Sequence, residues 1–240
     1  AGVRMERRMA SYGKLYMIPC PIGTDYDVLP EANRPVVEAL DYFIVENVRS
    51  ARRFLGRGGM GRTVEELTFV ECNEHTRPEE LPSMLEPLFG GRDAGFISEA
   101  GVPDPGAEIA ALCHRAGIRV VPLVGPSSIL LALMASGQNG QSFAFNGYLP
   151  VKPPERAKAL RMYEKRALGE GQSQLFIEAP YRNAKLLEEM LAVLSPHTRL
   201  TVAADITASS EFILTLPVAV WHSRPRPDLN KRPAIFIIGR

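Results

Sequence analysis

Short apolar runs alternate with helical patterns through the first half of this chain, and this alternation limits the folds available to it. The apolar runs predict strands at about 14–20, 41–46, 67–72, 94–98 and 119–124. The spacing of apolar residues between them predicts helices at about 31–40, 48–56, 79–89 and 107–116. Strands that alternate with helices are typical of a parallel sheet built from right-handed crossovers. The first half is therefore predicted to be an α/β domain with a mostly parallel sheet.

The pattern changes after Gly125. The elements predicted there are helices at about 127–136, 154–168 and 182–194, and strands at about 142–149, 173–178, 198–206, 211–220 and 233–238. Short links join the last three strands, which favours antiparallel pairing. We therefore expect a tail at 1–13, an N-terminal α/β domain at 14–125 and a C-terminal α/β domain with a mixed sheet at 126–240. A ligand cleft is expected between the two domains.

Three predicted strands of the first domain end in turns that are rich in small residues, proline and glycine. The turns read Pro19-Cys20-Pro21-Ile22-Gly23, Ser98-Glu99-Ala100-Gly101-Val102-Pro103-Asp104-Pro105-Gly106 and Gly125-Pro126-Ser127-Ser128. Open α/β sheets bind their ligands at the carboxyl ends of the strands. The three turns therefore predict one small-molecule site, lined by backbone rather than by reactive side chains. The alternative is that they only close the βα units.

Several other kinds of site are excluded by the sequence. It contains no GxxxxGK[ST] and no GxGxxG after the first strand, so the common nucleotide-binding turns are missing. The 3 cysteines lie far apart and the 4 histidines show no ligand spacing, so we expect no disulfide framework and no metal. No apolar run reaches the roughly 18 residues of a membrane span. Residues 1–13 lack the apolar core of a signal peptide, and we expect a cytoplasmic protein with no membrane partner.

A set of ordered segments carries a resemblance to a known family. They are the Pro-x-Pro-Ile-Gly turn at 19–23 with the strand before it, and the segments 46–52, 73–75, 125–137, 147–152 and 178–182. Together they resemble the tetrapyrrole methylase superfamily of S-adenosylmethionine-dependent methyltransferases. The most similar branch methylates a cytidine ribose 2′-hydroxyl of small-subunit ribosomal RNA. Two segments depart from that branch: Glu99 and Val102 stand in its Ser-Asp-Ala-Gly-Thr-Pro motif, and 204–208 replaces its Arg-Glu-Leu-Thr-Lys motif.

The resemblance implies a function and partners. It implies that S-adenosylmethionine is the cofactor, that ribosomal RNA or the small ribosomal subunit is the partner, and that the chain forms a homodimer. Two alternatives stay open: a methyltransferase that acts on a tetrapyrrole-like small molecule, and a non-catalytic cofactor- or RNA-binding relative. The apolar stretch 129–134 has few polar positions, so this helix is expected to be buried against the other domain or another chain.

The turns and the resemblance together assign candidate site residues. Cofactor binding is expected at Pro21, Ile22, Gly23, Gly101, Val102, Pro103, Ser127, Ser128, Ile129, Phe176 and Ala204. Substrate binding is expected at Arg49, Arg52, Lys152 and Arg182. A ribose hydroxyl benefits from a general base, and the candidates are Glu99 and Glu178. For Glu178 the alternative is an ion pair with Arg182 that fixes the turn around Pro180.

Two clusters of basic residues could contact RNA phosphates. They comprise Arg49, Arg52, Arg53, Arg57 and Arg62, and then Lys152, Arg156, Lys158, Arg161, Lys165 and Arg166. The net charge of the whole chain is only +1. Glu155 and Glu164 lie within the second cluster, and a solvated helix face is an equally open interpretation of either cluster.

Overall fold

The structure is a computed structural model that describes residues 11–23, 26–57, 62–97 and 104–240. Its contacts divide the chain into two compact units, Ala1–Pro126 and Ser127–Arg240, which are called unit 1 and unit 2 below. Within the described ranges, no helix is both long enough and apolar enough to cross a membrane.

The described part of unit 1 holds a parallel sheet. Its strands are β1 (Leu15–Ile18), β2 (Tyr42–Val45), β3 (Thr68–Glu71), β4 (Ala94–Ile97) and β5 (Val120–Pro122). They lie in the order β3-β2-β4-β1-β5, and every pair is parallel. The predicted parallel α/β architecture is confirmed. All five carboxyl ends consequently meet at one edge of this sheet.

Helices cover both faces of the unit 1 sheet, and apolar side chains such as Leu15, Phe43 and Phe96 are buried beneath them. The helices are α1 (Asn33–Glu38), α2 (Val48–Arg57), α3 (Leu81–Met84), α4 (Glu86–Phe89) and α5 (Asp104–Ala116), with 3₁₀ turns at Tyr26–Val28, Val64–Glu66 and Pro78–Glu80. The single helix predicted at 79–89 is divided into shorter pieces. Pro87 has no amide hydrogen to continue the helical ladder from α3.

Unit 2 holds a mixed sheet, as predicted. Its strands are β6 (Phe143–Tyr148), β7 (Ser173–Ile177), β8 (Arg199–Ala204), β9 (Phe212–Pro217) and β10 (Ala234–Gly239). They lie in the order β6-β7-β10-β8-β9. The pair β6–β7 is parallel and the other three pairs are antiparallel. β10 is therefore the central strand, and β6, β7 and β8 all run in the same direction.

The helices of unit 2 pack on both faces of its sheet. They are α6 (Ser128–Ser136), α7 (Pro153–Glu170), α8 (Asn183–Val193) and α9 (Val218–His222), with a 3₁₀ turn at Pro180–Arg182. Side chains of α6 pack against one face of the sheet, and those of α7, α8 and α9 against the other. The strand predicted at 211–220 is too long, because its last residues form α9. That helix buries Trp221, whose indole N–H donates to the Leu200 carbonyl at 2.9 Å.

The apolar helix α6 is buried on one side only. Ala132 and Leu133 are buried, whereas Leu130 and Met134 are 52% and 78% exposed in the chain. For this second side, burial against the other domain or another chain stays a prediction. The homodimer stays a prediction.

Candidate functional site

The carboxyl ends of β1, β2 and β4 border an open cleft of about 180 Å³ in unit 1. Its lining comprises Cys20, Pro21, Gly23, Tyr26, Asn47, Ser50, Ala51, Arg53, Phe54 and Ile97. Two of the predicted cofactor residues, Pro21 and Gly23, are therefore part of one cleft, and Ile22 lies between them in the chain. Small and apolar groups form much of the walls, and Asn47, Ser50 and Arg53 add polar side chains.

The start of α2 supplies the polar part of this cleft. The Asn47 side-chain oxygen accepts a hydrogen bond from the Ser50 amide at 2.9 Å, which is the contact of a helix N-cap. One helical turn further on, the exposed Arg53 lines the cleft. The Phe54 ring stacks on Tyr26, with centroids 6.1 Å apart. The first turns of α2 thus place a cation beside an aromatic wall.

Two of the predicted turns come together in unit 1. A Cβ added to Gly125 would lie 2.3 Å from the Cβ of Pro19, so only glycine permits this approach. The side-chain amide of the buried Asn33 donates to the Val124 carbonyl at 2.8 Å and ties the same segment to α1. The turn after β5 is therefore held against the turn after β1, as the neighbouring positions of these strands require.

The remaining predicted residues of unit 1 are placed as follows. Arg49 and Arg52 are exposed on α2, and the Arg52 guanidinium lies 5.6 Å from the centroid of the Phe69 ring. Arg62, a member of the first basic cluster, binds the backbone of its own chain. Its guanidinium donates to the carbonyls at the end of α1, those of residues 37, 38 and 40, at 2.7–2.8 Å. Glu99, Gly101, Val102 and Pro103 lie outside the described residues.

In unit 2, Ser127, Ser128 and Ile129 form the start of α6. Ser127 is the N-cap, and its hydroxyl accepts from the Leu130 amide at 3.4 Å. The first amides of a helix have no partner within the helix, and they lie at the positive end of its dipole. This turn is therefore suited to an anionic group, as the sequence predicts.

Three segments of unit 2 leave the sheet at one edge, because β6, β7 and β8 end there. Phe176 and Ala204, the other predicted cofactor residues, lie near the ends of β7 and β8. Both side chains are fully buried in the core of unit 2. The Phe176 ring packs edge-on against Tyr163, with centroids 5.0 Å apart. Only the backbone of these two residues is left for contact with a ligand.

A buried ion-pair network connects two of these segments. The Arg156 side chain is 2% exposed. It donates to the Pro150 carbonyl at 2.7 Å, to Glu189 at 2.9 Å and to Glu178 at 2.5 Å. Its assignment to a phosphate-binding cluster is therefore wrong. Burial without partners would cost an ionised arginine several kcal/mol, and here two carboxylates and a carbonyl compensate for the loss of water.

Glu178 has hydrogen-bond donors at both oxygens. Besides Arg156, its carboxylate accepts from the Ala179 amide at 2.7 Å and from Arg182 at 3.1 Å. Burial raises the pKa of Glu178, but these hydrogen bonds outweigh burial and the pKa lies below its ordinary value. A carboxylate with a lowered pKa is a weaker base. The geometry favours the structural alternative, in which Glu178 fixes the turn around Pro180.

A second ion pair holds the segment after β8. Arg232 donates to Asp205 at 2.6 Å and holds the pKa of that carboxyl below its ordinary value, although burial opposes the change. Asp205 and Thr207 adopt φ angles of 50° and 75°. Such left-handed conformations cost non-glycine residues about 1–3 kcal/mol each and concentrate at functional sites. This is the segment in which the sequence departs from the Arg-Glu-Leu-Thr-Lys motif.

Because the pKa values of Glu178 and Asp205 are lowered in the folded state, unit 2 is expected to lose stability in acid. A carboxyl whose pKa is lower in the folded state stabilises that state above its ordinary pKa of about 4. The contribution disappears as the pH falls through the folded-state value. The urea midpoint of unit 2, followed by fluorescence of the buried Trp221, is expected to be constant between about pH 7 and 5 and to fall below about pH 4. A Glu178→Gln/Asp205→Asn variant should show a smaller acid-induced fall. An equal fall in both proteins would contradict this assignment.

A row of exposed cations of unit 2 lies along α7, and Arg182 follows in the turn after β7. Lys152 precedes the first residue of α7 and is exposed, while Lys158, Arg161, Lys165 and Arg166 are exposed along the helix. Arg182 is 30% exposed and lies between Glu178 and Tyr181. Sequence reasoning therefore places Lys152 and Arg182 at accessible positions. It misses Tyr26 in the unit 1 cleft, and it assigns Arg53 to a phosphate-binding cluster rather than to the cleft that this residue lines.

Comparison with known proteins gives relatives in sequence and in fold. Ribosomal RNA small subunit methyltransferase I of Escherichia coli O157:H7 is 31% identical over 231 residues, which cover 95% of this chain and 77% of that protein. The methyltransferase CobJ aligns over 95% of this chain and 94% of its own, with a TM-score of 0.62 and 16% identity. Uroporphyrin-III C-methyltransferase of Thermus thermophilus, complexed with S-adenyl homocysteine, aligns over 95% of this chain and 98% of its own, with a TM-score of 0.51 and 15% identity. At such identities the two structures show a common fold alone. No protein-family model matches the chain.

Proposed function

Because this chain belongs to the ribosomal RNA small subunit methyltransferase I family, we propose that it transfers a methyl group from S-adenosylmethionine to a ribose 2′-hydroxyl of small-subunit ribosomal RNA. The observation that carries the proposal is 31% identity over 231 residues to a relative of that name. The match covers 77% of the relative's length and includes both units of this chain. The tetrapyrrole alternative rests on likeness of fold at 16% identity or below, which carries no information about the acceptor.

The residues present fit a methyl donor of this kind. S-adenosylmethionine needs apolar surface for its adenine, backbone hydrogen bonds, and a partner for its carboxylate. In unit 1, Pro21, Ile22 and Gly23 offer backbone and small side chains at the cleft. In unit 2, the amides that begin α6, at Ser128 and Ile129, suit a carboxylate. When bound, the cofactor supplies a methyl group that its sulfonium has already activated.

The chain's own contribution is to align the hydroxyl and to receive its proton. Alignment of two reactants can supply a large part of a rate enhancement. Since donors occupy both oxygens of Glu178, we assign the proton acceptor to Glu99, the other candidate carboxylate. Arg49, Arg52, Lys152 and Arg182 are the proposed contacts to RNA phosphates. We also propose that the active protein is a homodimer, with the exposed side of α6 as one part of the interface.

A methylation assay tests the proposed function directly. Small ribosomal subunits from cells that lack this protein are incubated with the purified chain and S-adenosylmethionine, and 2′-O-methyl groups are mapped along the RNA. One new 2′-O-methylated cytidine is expected, and calorimetry with S-adenosylhomocysteine is expected to give one site per chain. Binding of S-adenosylhomocysteine without transfer to RNA would favour a non-catalytic relative. Absence of both binding and transfer would refute the proposal.

A further inference from the structure

Two exposed tyrosines mark the edge of unit 2 where β6 and β7 end. Tyr148 is the last residue of β6 and is 65% exposed, and Tyr181, in the 3₁₀ turn after β7, is 69% exposed. The two strands are parallel neighbours, with Tyr148 paired with Ile177, so both tyrosines lie at the same edge. We call this pair the tyrosine edge. Rings of this size are usually buried at least in part, and so much exposed aromatic surface indicates a binding role.

An irregularity in β6 determines which face of the sheet Tyr148 lies on. The register between β6 and β7 shifts after Phe145, which pairs with Leu175, so that residue 148 rather than 147 pairs with Ile177. Gly147 adopts a φ of 66°, which supplies the extra residue of this bulge. Bulges re-aim side chains and are frequent beside functional sites. Tyr148 consequently shares a sheet face with Phe145, instead of lying on the opposite face.

Cations accompany both rings. The Arg182 guanidinium lies 4.8 Å from the centroid of the Tyr181 ring, and it donates to the Tyr181 hydroxyl at 2.6 Å. Lys152 is exposed four residues after Tyr148. The exposed cations of α7 continue from there, with the exposed Glu155 as an acidic member of the first turn. Glu178 is the carboxylate nearest to Arg182, and it is also neutralised by the buried Arg156.

The same buried arginine fixes both segments of the tyrosine edge. Arg156 donates to the carbonyl of Pro150, two residues after Tyr148, and to Glu178, three residues before Tyr181. A third contact, to Glu189, anchors it to α8. The two segments are therefore held together by one rigid group before any ligand binds. Such preorganisation lowers the entropy that binding must overcome.

Exposed aromatic rings interleaved with cations fit unpaired nucleotides. Unpaired bases stack on aromatic side chains, while lysine and arginine contact the phosphates. The bases of a duplex are already stacked and offer no free face. We infer that Tyr148 and Tyr181 form a stacking surface for unpaired bases of the ribosomal RNA substrate, with Lys152 and Arg182 on its phosphates. This inference rests on the proposed function and deepens it, because it names the form of RNA that unit 2 binds.

The test compares aromatic with aliphatic side chains at both positions. Filter binding gives the Kd for purified small-subunit ribosomal RNA of the wild type, Tyr148→Leu, Tyr181→Leu and the two matching phenylalanine variants. Each leucine variant is expected to bind about tenfold more weakly, because base stacking is lost, whereas the phenylalanine variants keep most of the affinity. Phe89→Leu, at an exposed aromatic of unit 1, is the matched control and should bind RNA as the wild type does. Calorimetry with S-adenosylhomocysteine and the Trp221 unfolding midpoint should be unchanged in every variant.

The possible outcomes separate this inference from the proposed function. If the leucine variants bind and methylate the RNA like the wild type, the stacking surface is refuted and the methyltransferase proposal stands. If they bind RNA normally but change the molar mass measured by sedimentation, the tyrosine edge is an interface between two copies of the chain, and the inference is again refuted. If the wild type binds S-adenosylhomocysteine but neither binds nor methylates ribosomal RNA, both proposals fail.

Discussion

Replacement of Glu99 by glutamine is expected to slow methyl transfer by about 100-fold or more, because a positioned general base contributes roughly 10²–10⁴ to such a rate. Glutamine keeps the size of the side chain and removes its ability to accept a proton from the hydroxyl. The loss should therefore appear in kcat, with the KM for the small ribosomal subunit and the affinity for S-adenosylhomocysteine unchanged. Single-turnover methylation at saturating RNA measures the step directly.

Glu178→Gln is the matched control for that experiment. Glu178 is already bonded to Arg156, Arg182 and the Ala179 amide, so its loss should lower the stability of unit 2 and leave turnover at low temperature intact. A large loss of kcat in Glu178→Gln, with Glu99→Gln unaffected, would reverse the assignment. Wild-type rates in both variants would mean that neither carboxylate is the base, and that alignment of donor and acceptor carries the reaction.

Replacement of Arg156 by methionine is expected to lower the free energy of unfolding of unit 2 by about 3–5 kcal/mol, because it removes the buried cation from the buried Glu178 carboxylate. Methionine fills much of the space of the arginine stem, so the effect reports charge more than volume. The chain contains 1 tryptophan, and it is buried in the core of unit 2. Its fluorescence in a urea titration therefore follows the unfolding of this unit.

Arg161→Met provides the control, since Arg161 is an exposed arginine on the same helix. Its effect should be within about 0.5 kcal/mol. An Arg156→Met/Glu178→Leu double variant should be more stable than Arg156→Met alone, because replacing a buried pair by apolar groups removes the uncompensated charge. If the double variant loses as much unfolding free energy as Arg156→Met and Glu178→Leu lose together, the two residues are not coupled and packing explains the loss.

The architecture could be predicted from the sequence because it is encoded locally. Alternating apolar runs and helical patterns are sufficient to predict the parallel sheet of unit 1. The short links after residue 195 are sufficient for the antiparallel part of unit 2. The turn at 125–128 was recognisable for the same reason, since glycine and the capping Ser127 are local signals for the strand-to-helix turn that the structure contains. The strands, helices and turns named here are each determined by residues that are close together in the sequence.

The roles of the arginines could be predicted less well, because their partners are distant in sequence. Arg62 binds carbonyls of residues 37–40, and no local pattern indicates such a contact. Arg156 did carry a signal that its charge concealed. Arg156, Leu160 and Glu164 follow one another at intervals of four residues. Helical periodicity therefore places all three on the buried face of α7. An ionisable residue on the apolar face of a helix requires a buried partner, which a count of exposed charges overlooks.

The central position of β10 in the unit 2 sheet affects how this unit can fold while the chain is being synthesised. The described strands of unit 1 have all been synthesised by residue 122, whereas the middle strand of unit 2 comes after the other four strands of its own sheet. During translation, the pairs β6–β7 and β8–β9 can form early, but besides their outer edges each then presents a second unpaired edge, on β7 and on β8, that only β10 covers. Open edges of this kind invite aggregation. Until residues 234–239 leave the ribosomal exit tunnel, unit 2 consists of two half-sheets, and its exposure to misassembly lasts until β10 pairs with β7 and β8.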